Sequence, residues 1–249
     1  MTKKVSFLIC GTQKGGTTAL ADYLSEHPDL CLPLSKELHF FDNEEINWKR
    51  PNPNEYHKAF KTGEPNQIWG EATPIYMYWE KSMERIWQYN PAIKLIVLLR
   101  NPITRAYSHW AMEKARGNEN LNFLEALQQE ETRSRGVLPL QNKIYSYQER
   151  GFYNEQLRRI FRFFPKDQVL ILKQEDLLNK PKKTLEKIYL HLDITQIKFS
   201  KPIHSHLGKY SEEISNEANE LLRKVFWHEI CQLEYLLGWD CSSWLQTRY

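Results

Sequence analysis

The chain predicts an α/β fold with a central parallel β-sheet flanked by helices, and three observations carry that prediction. Short apolar runs at residues 5–10, 93–99 and 168–172 read as buried strands, because parallel strands covered on both faces are continuously apolar rather than alternating. Each run is followed by a helical pattern, at 17–26, 102–116 and 180–192, and such alternation calls for a parallel sheet. The first strand enters its helix through a glycine-rich turn, Gly11-Thr-Gln-Lys-Gly-Gly-Thr-Thr18. In folds of this kind ligands bind at the carboxyl ends of the strands.

The remaining elements follow in order. Residues 46–66 are rich in Asn, Pro, Lys and Trp and read as a surface loop. A helix is expected over 80–90. Residues 117–148 are polar with few breakers, so helix plus loop is expected. Another helix spans 153–163, with Leu157, Ile160 and Phe161 on one face and Pro165 just beyond its end. The clearest amphipathic helix lies near the end of the chain. There Leu222, Phe226, Ile230, Leu233 and Leu237 recur at intervals of four, four, three and four, a stripe expected to pack on the sheet. No internal repeat or low-complexity tract interrupts the pattern. The length of 249 residues suits one large domain or two small ones, and the reading here is a single domain over 1–249.

Hydrophobic residues make up 41% and aromatic residues 13% of the chain, enough for a sizeable core with rings left over for pocket walls. The net charge of +3 is too small to argue for nucleic acid, but it suits an anionic cofactor. The four cysteines, Cys10, Cys31, Cys231 and Cys241, form no C-x-x-C pair and join no cluster with metal spacing. Reduced thiols in a cytoplasmic setting are expected, with Cys10 buried in the first strand. No apolar run approaches the roughly 20 residues of a membrane span, and no signal peptide is visible.

Three segments carry chemistry. The turn at 11–18 has the makings of a phosphate cradle. Unpaired N–H groups at a helix N-terminus point outward with the positive end of the helix dipole. Gly15 and Gly16 let the backbone approach an anion, Lys14 adds a full charge, and Thr17 and Thr18 open the helix. The turn is not a Walker A loop, which wants lysine directly after its second glycine. Here Thr17 follows Gly16, and the lysine precedes the glycine pair. In the second segment a buried strand ends at Arg100, Pro102 sits near a helix start, and Ser108 follows about two turns in. A guanidinium fork at a strand's carboxyl end suits a terminal phosphate, and a serine hydroxyl can add a hydrogen bond. In the third segment, Ser35-Lys-Glu-Leu-His-Phe-Phe-Asp42, Glu37 and His39 share a face if the segment is extended. Phe40 and Phe41 would anchor that pair, and a carboxylate beside an imidazole is equipped for general base work. Taken singly, each segment also reads as ordinary structure: a tight turn, a salt-bridging arginine with a surface serine, a loop with a surface glutamate.

Together the three segments resemble sulfotransferases that use 3′-phosphoadenosine 5′-phosphosulfate, with heparan-sulfate-type and bacterial tailoring enzymes as the nearer relatives. The resemblance implies the P-loop-like nucleotide-binding fold of sulfotransferases. It implies that Lys14, Gly15, Gly16, Thr17 and Thr18 hold the 5′-phosphosulfate and that Arg100 and Ser108 hold the 3′-phosphate. A lysine before the glycine pair is that family's form of the loop. The family's catalytic glutamate corresponds to Glu37, and His39 matches a histidine of some members. Further matches are Gly70-Glu-Ala-Thr-Pro-Ile-Tyr76, the Gly-x-Tyr helix start ending at Tyr153, the late strand at 167–176, and the ending around residues 236–244. Gly208, Lys209 and Tyr210 correspond to the late cofactor loop. One departure stands out: heparan-type members often carry an active-site lysine where this chain has Ala72.

The resemblance implies in-line transfer of a sulfuryl group to an acceptor hydroxyl or amine, with adenosine 3′,5′-bisphosphate as product. Lys14 and the loop amides would stabilise developing charge, helped by His39, with Glu37 or His39 as the base. No metal is expected. A small-molecule kinase of the P-loop type, using ATP and Mg²⁺, is the alternative; it would need a lysine after the second glycine and a Mg²⁺ carboxylate. The expected acceptor is a soluble small molecule in natural-product biosynthesis, with neither nucleic acid nor membrane as partner. The acidic stretch Asp42-Asn-Glu-Glu45 reads either as a solvated loop or as a feature favouring a cationic or polar acceptor.

Overall fold

The computed structural model describes residues 3–60, 64–198 and 213–246. Five strands, β1 (Phe7–Gly11), β2 (Leu30–Cys31), β3 (Ile68–Ala72), β4 (Lys94–Leu99) and β5 (Val169–Lys173), make one sheet in the order β2-β3-β1-β4-β5. Every pairing is parallel. The helices in chain order are α1 (Thr17–Ser25), α2 (Asn54–Lys58), α3 (Ser82–Tyr89), α4 (Pro102–Ala115), α5 (Phe123–Arg135), α6 (Tyr153–Phe163), α7 (Gln174–Asn179), α8 (Pro181–Leu192), α9 (Asn216–Leu237) and α10 (Ser242–Gln246). The chain divides into two compact units, Met1–Leu99 with Arg159–Leu207 and Arg100–Arg158 with Gly208–Tyr249.

The first unit holds the sheet. Its central strands β1 and β4 are buried along almost their whole length, which is why they read as unbroken apolar runs. Phe7, Ile9, Ile96 and Leu98 meet Leu20 and Leu24 of α1 and Leu185 and Ile188 of α8 in one core. Cys10 is sealed within β1, and burial pushes its thiol up to about 12. Two strands went unread in the sequence. β2 has only two residues, too few for any periodicity, and β3 carries Gly70 and Glu71 in its middle, residue types depleted in strands.

The second unit is helical. Asn101 caps α4 by accepting from the Ile103 N–H at 2.9 Å, with Pro102 at the first helical position. Asn122 and Glu125 form a capping box on α5. The stripe on α9, Leu222, Phe226, Ile230 and Leu233, is buried as the spacing requires. It packs on α4 and α5 of its own unit, where the expectation was the sheet. Amphipathic spacing specifies that a face is buried, not what buries it.

Candidate active site

The carboxyl ends of β1 and β4 lie side by side, with Gly11 paired to Val97. The turn after β1 is tied to β4: the Thr12 N–H donates to the Leu98 carbonyl at 3.0 Å, and the Gly15 N–H donates to the Thr12 carbonyl at 2.8 Å. This close approach demands glycine at 15. A Cβ there would lie 2.5 Å from the Leu98 carbonyl oxygen and 2.9 Å from that of Thr12. Gly16 has a φ of 93° and stands at the N-cap of α1, a backbone state open to glycine at no steric cost. No side chain caps α1, and its first turn carries no acidic residue. Thr17 is buried and Thr18 half-buried. The helix therefore offers backbone N–H donors and dipole charge beside Lys14. This donor set fits a phosphate or phosphosulfate, and a side chain at position 15 would fill the space that makes the approach possible.

Arg100 follows β4 directly. Its Nε donates to the Thr104 hydroxyl at 2.8 Å, and Ser108 lies one helical turn beyond Thr104 on the same side of α4, with its side chain buried. Arg100 and Ser108 are thus brought to one helix face. Tyr153 is fully buried, and its hydroxyl donates to the Arg100 carbonyl at 2.8 Å. Tyr153 therefore bears on Arg100 through that residue's backbone. Gly208, Lys209 and Tyr210 lie outside the described residues.

The third segment brings Glu37 and His39 together by a route other than the expected one. An extended backbone was the reason to place them on one face. Instead both residues are left-handed, with φ values of 55° and 53°, and a tight turn sets Glu37 Oε2 3.4 Å from His39 Nε2. His39 Nδ1 lies 3.1 Å from both carboxylate oxygens of Asp42, which is fully buried. Asp42, with Glu37 after it, pushes the imidazole up to about 9 against the opposing effect of partial burial. His39 is accordingly an imidazolium at neutral pH, clamped between two carboxylates.

Four non-glycine residues adopt a positive φ among the described residues: Lys14, Glu37, His39 and Asp193. Asp193 is the left-handed cap that ends α8. The other three are the candidate catalytic residues. Each such residue costs roughly 1–2 kcal/mol, and strain of this kind persists where the surrounding structure over-determines it.

What holds the Glu37 loop lies beneath it. Glu71 of β3 is fully buried and accepts hydroxyl donors from Tyr56, Thr73 and Tyr76, the last at 2.9 Å. The Leu38 N–H also stabilises its carboxylate. Burial raises the Glu71 pKa, and these hydrogen bonds oppose the rise. The Tyr76 hydroxyl in turn accepts from the Phe40 N–H at 2.9 Å and the Phe41 N–H at 3.4 Å. Phe40 stacks on Tyr56 with ring centroids 4.6 Å apart, and Phe41 meets Tyr76 edge-on at 5.4 Å. The expected anchoring role of both phenylalanines is realised in these contacts.

Asp42, Glu71 and Tyr76 were not singled out for this site from the sequence. Asp42 sits three residues past His39, a spacing that could have flagged it. Nothing in the spacing ties β3 to a loop some thirty residues earlier. The acidic stretch divides: Asp42 is buried on His39, while Glu44 is exposed and accepts from Trp79 Nε1 at 2.6 Å and Arg85 Nη2 at 2.7 Å. Ala72 packs against the core on the opposite face of β3 from Glu71, so no cation stands at that position. Among the described residues, no group of three or more His, Cys, Asp or Glu side chains is placed to hold a metal ion. No helix among them is long and apolar enough to cross a membrane.

A parallel sheet with a glycine-tight phosphate cradle at its carboxyl edge, and a carboxylate–imidazolium pair in the same unit, defines a nucleotide-dependent group-transfer enzyme. Residues 4–229 match the sulfotransferase domain family. The chain is 28% identical over 266 residues to heparan sulfate glucosamine 3-O-sulfotransferase 5 of Mus musculus, covering 95% of this chain and 73% of that protein. A sulfotransferase from Alicyclobacillus acidocaldarius has a similar structure, with a TM-score of 0.83 and 26% identity over 98% of this chain and 99% of that one. A mouse sulfotransferase complexed with PAP shares the fold, with a TM-score of 0.59 at 14% identity over 92% of this chain and 86% of that one. The chain belongs to the PAPS-dependent sulfotransferase family and is an enzyme of that class. The kinase alternative is not favoured.

Proposed function

We propose that this protein moves a sulfuryl group from 3′-phosphoadenosine 5′-phosphosulfate to a hydroxyl or amine of a small-molecule acceptor, with Glu37 as the base. The observation that carries the reading is the Glu37–His39 contact of 3.4 Å, closed by the buried Asp42. An imidazole raised to about 9 by Asp42 and Glu37 is already protonated at neutral pH. His39 is then a poor proton acceptor, and it serves as a cationic support for the Glu37 carboxylate. Glu37 accepts the acceptor's proton.

Lys14, the amides of residues 16–18 and the N-terminus of α1 hold the 5′-phosphosulfate and stabilise negative charge there. Arg100 and Ser108 hold the 3′-phosphate. When bound, the donor supplies the activated sulfuryl group and leaves as adenosine 3′,5′-bisphosphate. With alanine at 72, charge stabilisation rests on Lys14, the helix amides and His39, and no metal is called for. A cytoplasmic role in natural-product biosynthesis accompanies this reading.

A second reading is a glycan acceptor, with a glucosaminyl hydroxyl as nucleophile. The similarity to a heparan sulfate glucosamine 3-O-sulfotransferase over 95% of the chain favours it. One experiment separates these readings. Purified protein is incubated with ³⁵S-labelled donor and a panel holding aromatic and aliphatic alcohols, amines and N-sulfated heparan oligosaccharides. Label in the alcohols or amines supports the first reading, and label in the oligosaccharides alone replaces it with the second. A thermal shift with ATP and Mg²⁺ but none with adenosine 3′,5′-bisphosphate would overturn both.

A further inference from the structure

The Glu37 loop carries two left-handed non-glycine residues and has two backbone N–H groups paired to one buried side chain. Phe40 N–H and Phe41 N–H reach the Tyr76 hydroxyl, which itself donates to Glu71 Oε1. Both N–H groups lie within two residues of His39. Glu71 accepts from the hydroxyls of Tyr56, Thr73 and Tyr76. A buried carboxylate is expensive unless its oxygens are hydrogen-bonded, and a strand interior is a poor place for one. The buried side chains packed around the loop are aromatic: Phe40, Phe41, Tyr56 and Tyr76. A purely structural strand residue here would be apolar. What a carboxylate adds is the capacity to accept several donors at once. It aligns the Tyr76 hydroxyl so that its lone pairs face the loop.

We infer that Glu71 is a positioning residue for sulfuryl transfer: through the Tyr76 hydroxyl it holds the loop in the left-handed turn that brings Glu37 onto His39. The inference rests on the proposed roles of Glu37 and His39 and extends them to a second layer on β3. The two phosphate-binding segments do not depend on it, because the cradle at 11–18 is tied to β4 instead.

The test needs no acceptor. The full chain is compared with Tyr76→Phe, which removes only the relaying hydroxyl, and with Glu71→Gln, which replaces one accepting oxygen by a donor. Amide hydrogen exchange reports the loop, and an NMR titration of His39 reports its pairing with Asp42 and Glu37. Affinity for adenosine 3′,5′-bisphosphate serves as the control. In the wild-type chain the Phe40 and Phe41 amides should be protected at least tenfold. In both variants that protection should fall to the level of an open loop, and the His39 midpoint should drop from about 9 toward its ordinary 6.5. Binding of the bisphosphate should stay within twofold. Unprotected Phe40 and Phe41 amides in the wild type would overturn the inference even if neither variant folds. So would a folded Tyr76→Phe protein whose His39 titration is unchanged. Failure of the Glu37 reading would look different: Glu37→Gln would keep its turnover while the amide and His39 results stood.

Discussion

The phosphate cradle and the Glu37 loop belong to the same unit, and each sets a left-handed non-glycine residue where chemistry is proposed, Lys14 in one and Glu37 and His39 in the other. They are held in different ways. The cradle is made of backbone. A strand end, two glycines and an uncapped helix start form it, and its contacts run to the neighbouring strand's carbonyl. The Glu37 loop is made of side chains. A buried aspartate pairs with His39, and the Tyr76 hydroxyl, which donates to the buried Glu71, accepts from the loop backbone. Anion binding needs oriented N–H groups that any sequence with the right glycines can supply. Proton transfer needs one carboxylate at one place, and that takes a supporting layer.

Glu37→Gln tests the side-chain half of this contrast most sharply. Turnover should fall by about 10²–10⁴, the usual cost of losing a general base, while affinity for adenosine 3′,5′-bisphosphate is kept. A variant that turns over at near wild-type rate, beside an inactive His39→Ala, would transfer the base role to the histidine. Lys14→Ala tests the backbone half. Losing a preorganised charge costs about 10²–10³ in rate, so a variant within threefold of wild type would remove Lys14 from the site.

Arg100→Ala should weaken adenosine 3′,5′-bisphosphate far more than adenosine 5′-phosphate, by about 1.5–3 kcal/mol for a charged hydrogen bond; calorimetry with both ligands decides it, and equal losses would move the 3′-phosphate elsewhere. Gly15→Ala should be felt in stability as well as in binding. The new Cβ would meet backbone oxygens at 2.5 and 2.9 Å, which cannot swing aside as a side chain can. A loss of about 1–3 kcal/mol is expected, read from urea unfolding, with weaker bisphosphate binding. Unchanged unfolding would mean the turn has slack.

The smallest effect is a pH dependence. His39 is raised to about 9 by Asp42 and Glu37, above the roughly 6.5 of an unperturbed imidazole. The native state therefore holds this proton more tightly than the unfolded chain. Its stabilisation is fully present below about pH 6.5 and is lost as pH rises through about 9. The ring is 47% exposed, so solvent screening leaves about 1 kcal/mol or less. Unfolding curves at pH 6 and pH 10 should converge for wild type and His39→Ala at the higher pH. Curves separated equally at both would show that the pairing does not contribute.

The sequence by itself determined the parallel α/β fold, the glycine-rich turn at residues 11–18, the strand-to-helix segment from Arg100 to Ser108 and the amphipathic stripe from Leu222 to Leu237. These depend on local signals: apolar runs, glycines beside a helix start, a proline at a first helical position, a 3.6-residue stripe. It also brought Glu37 and His39 together, though for a reason the backbone does not follow. Only the tertiary structure decided the partner of the α9 face, the strand status of residues 68–72, and the second layer of Asp42, Glu71 and Tyr76. Strand β3 carries Gly70 where a Cβ would run into the Phe7 ring, and Glu71 where the Tyr76 hydroxyl that receives the Phe40 N–H finds its acceptor. Both arise from long-range packing, and no local pattern encodes a demand made by residues far along the chain.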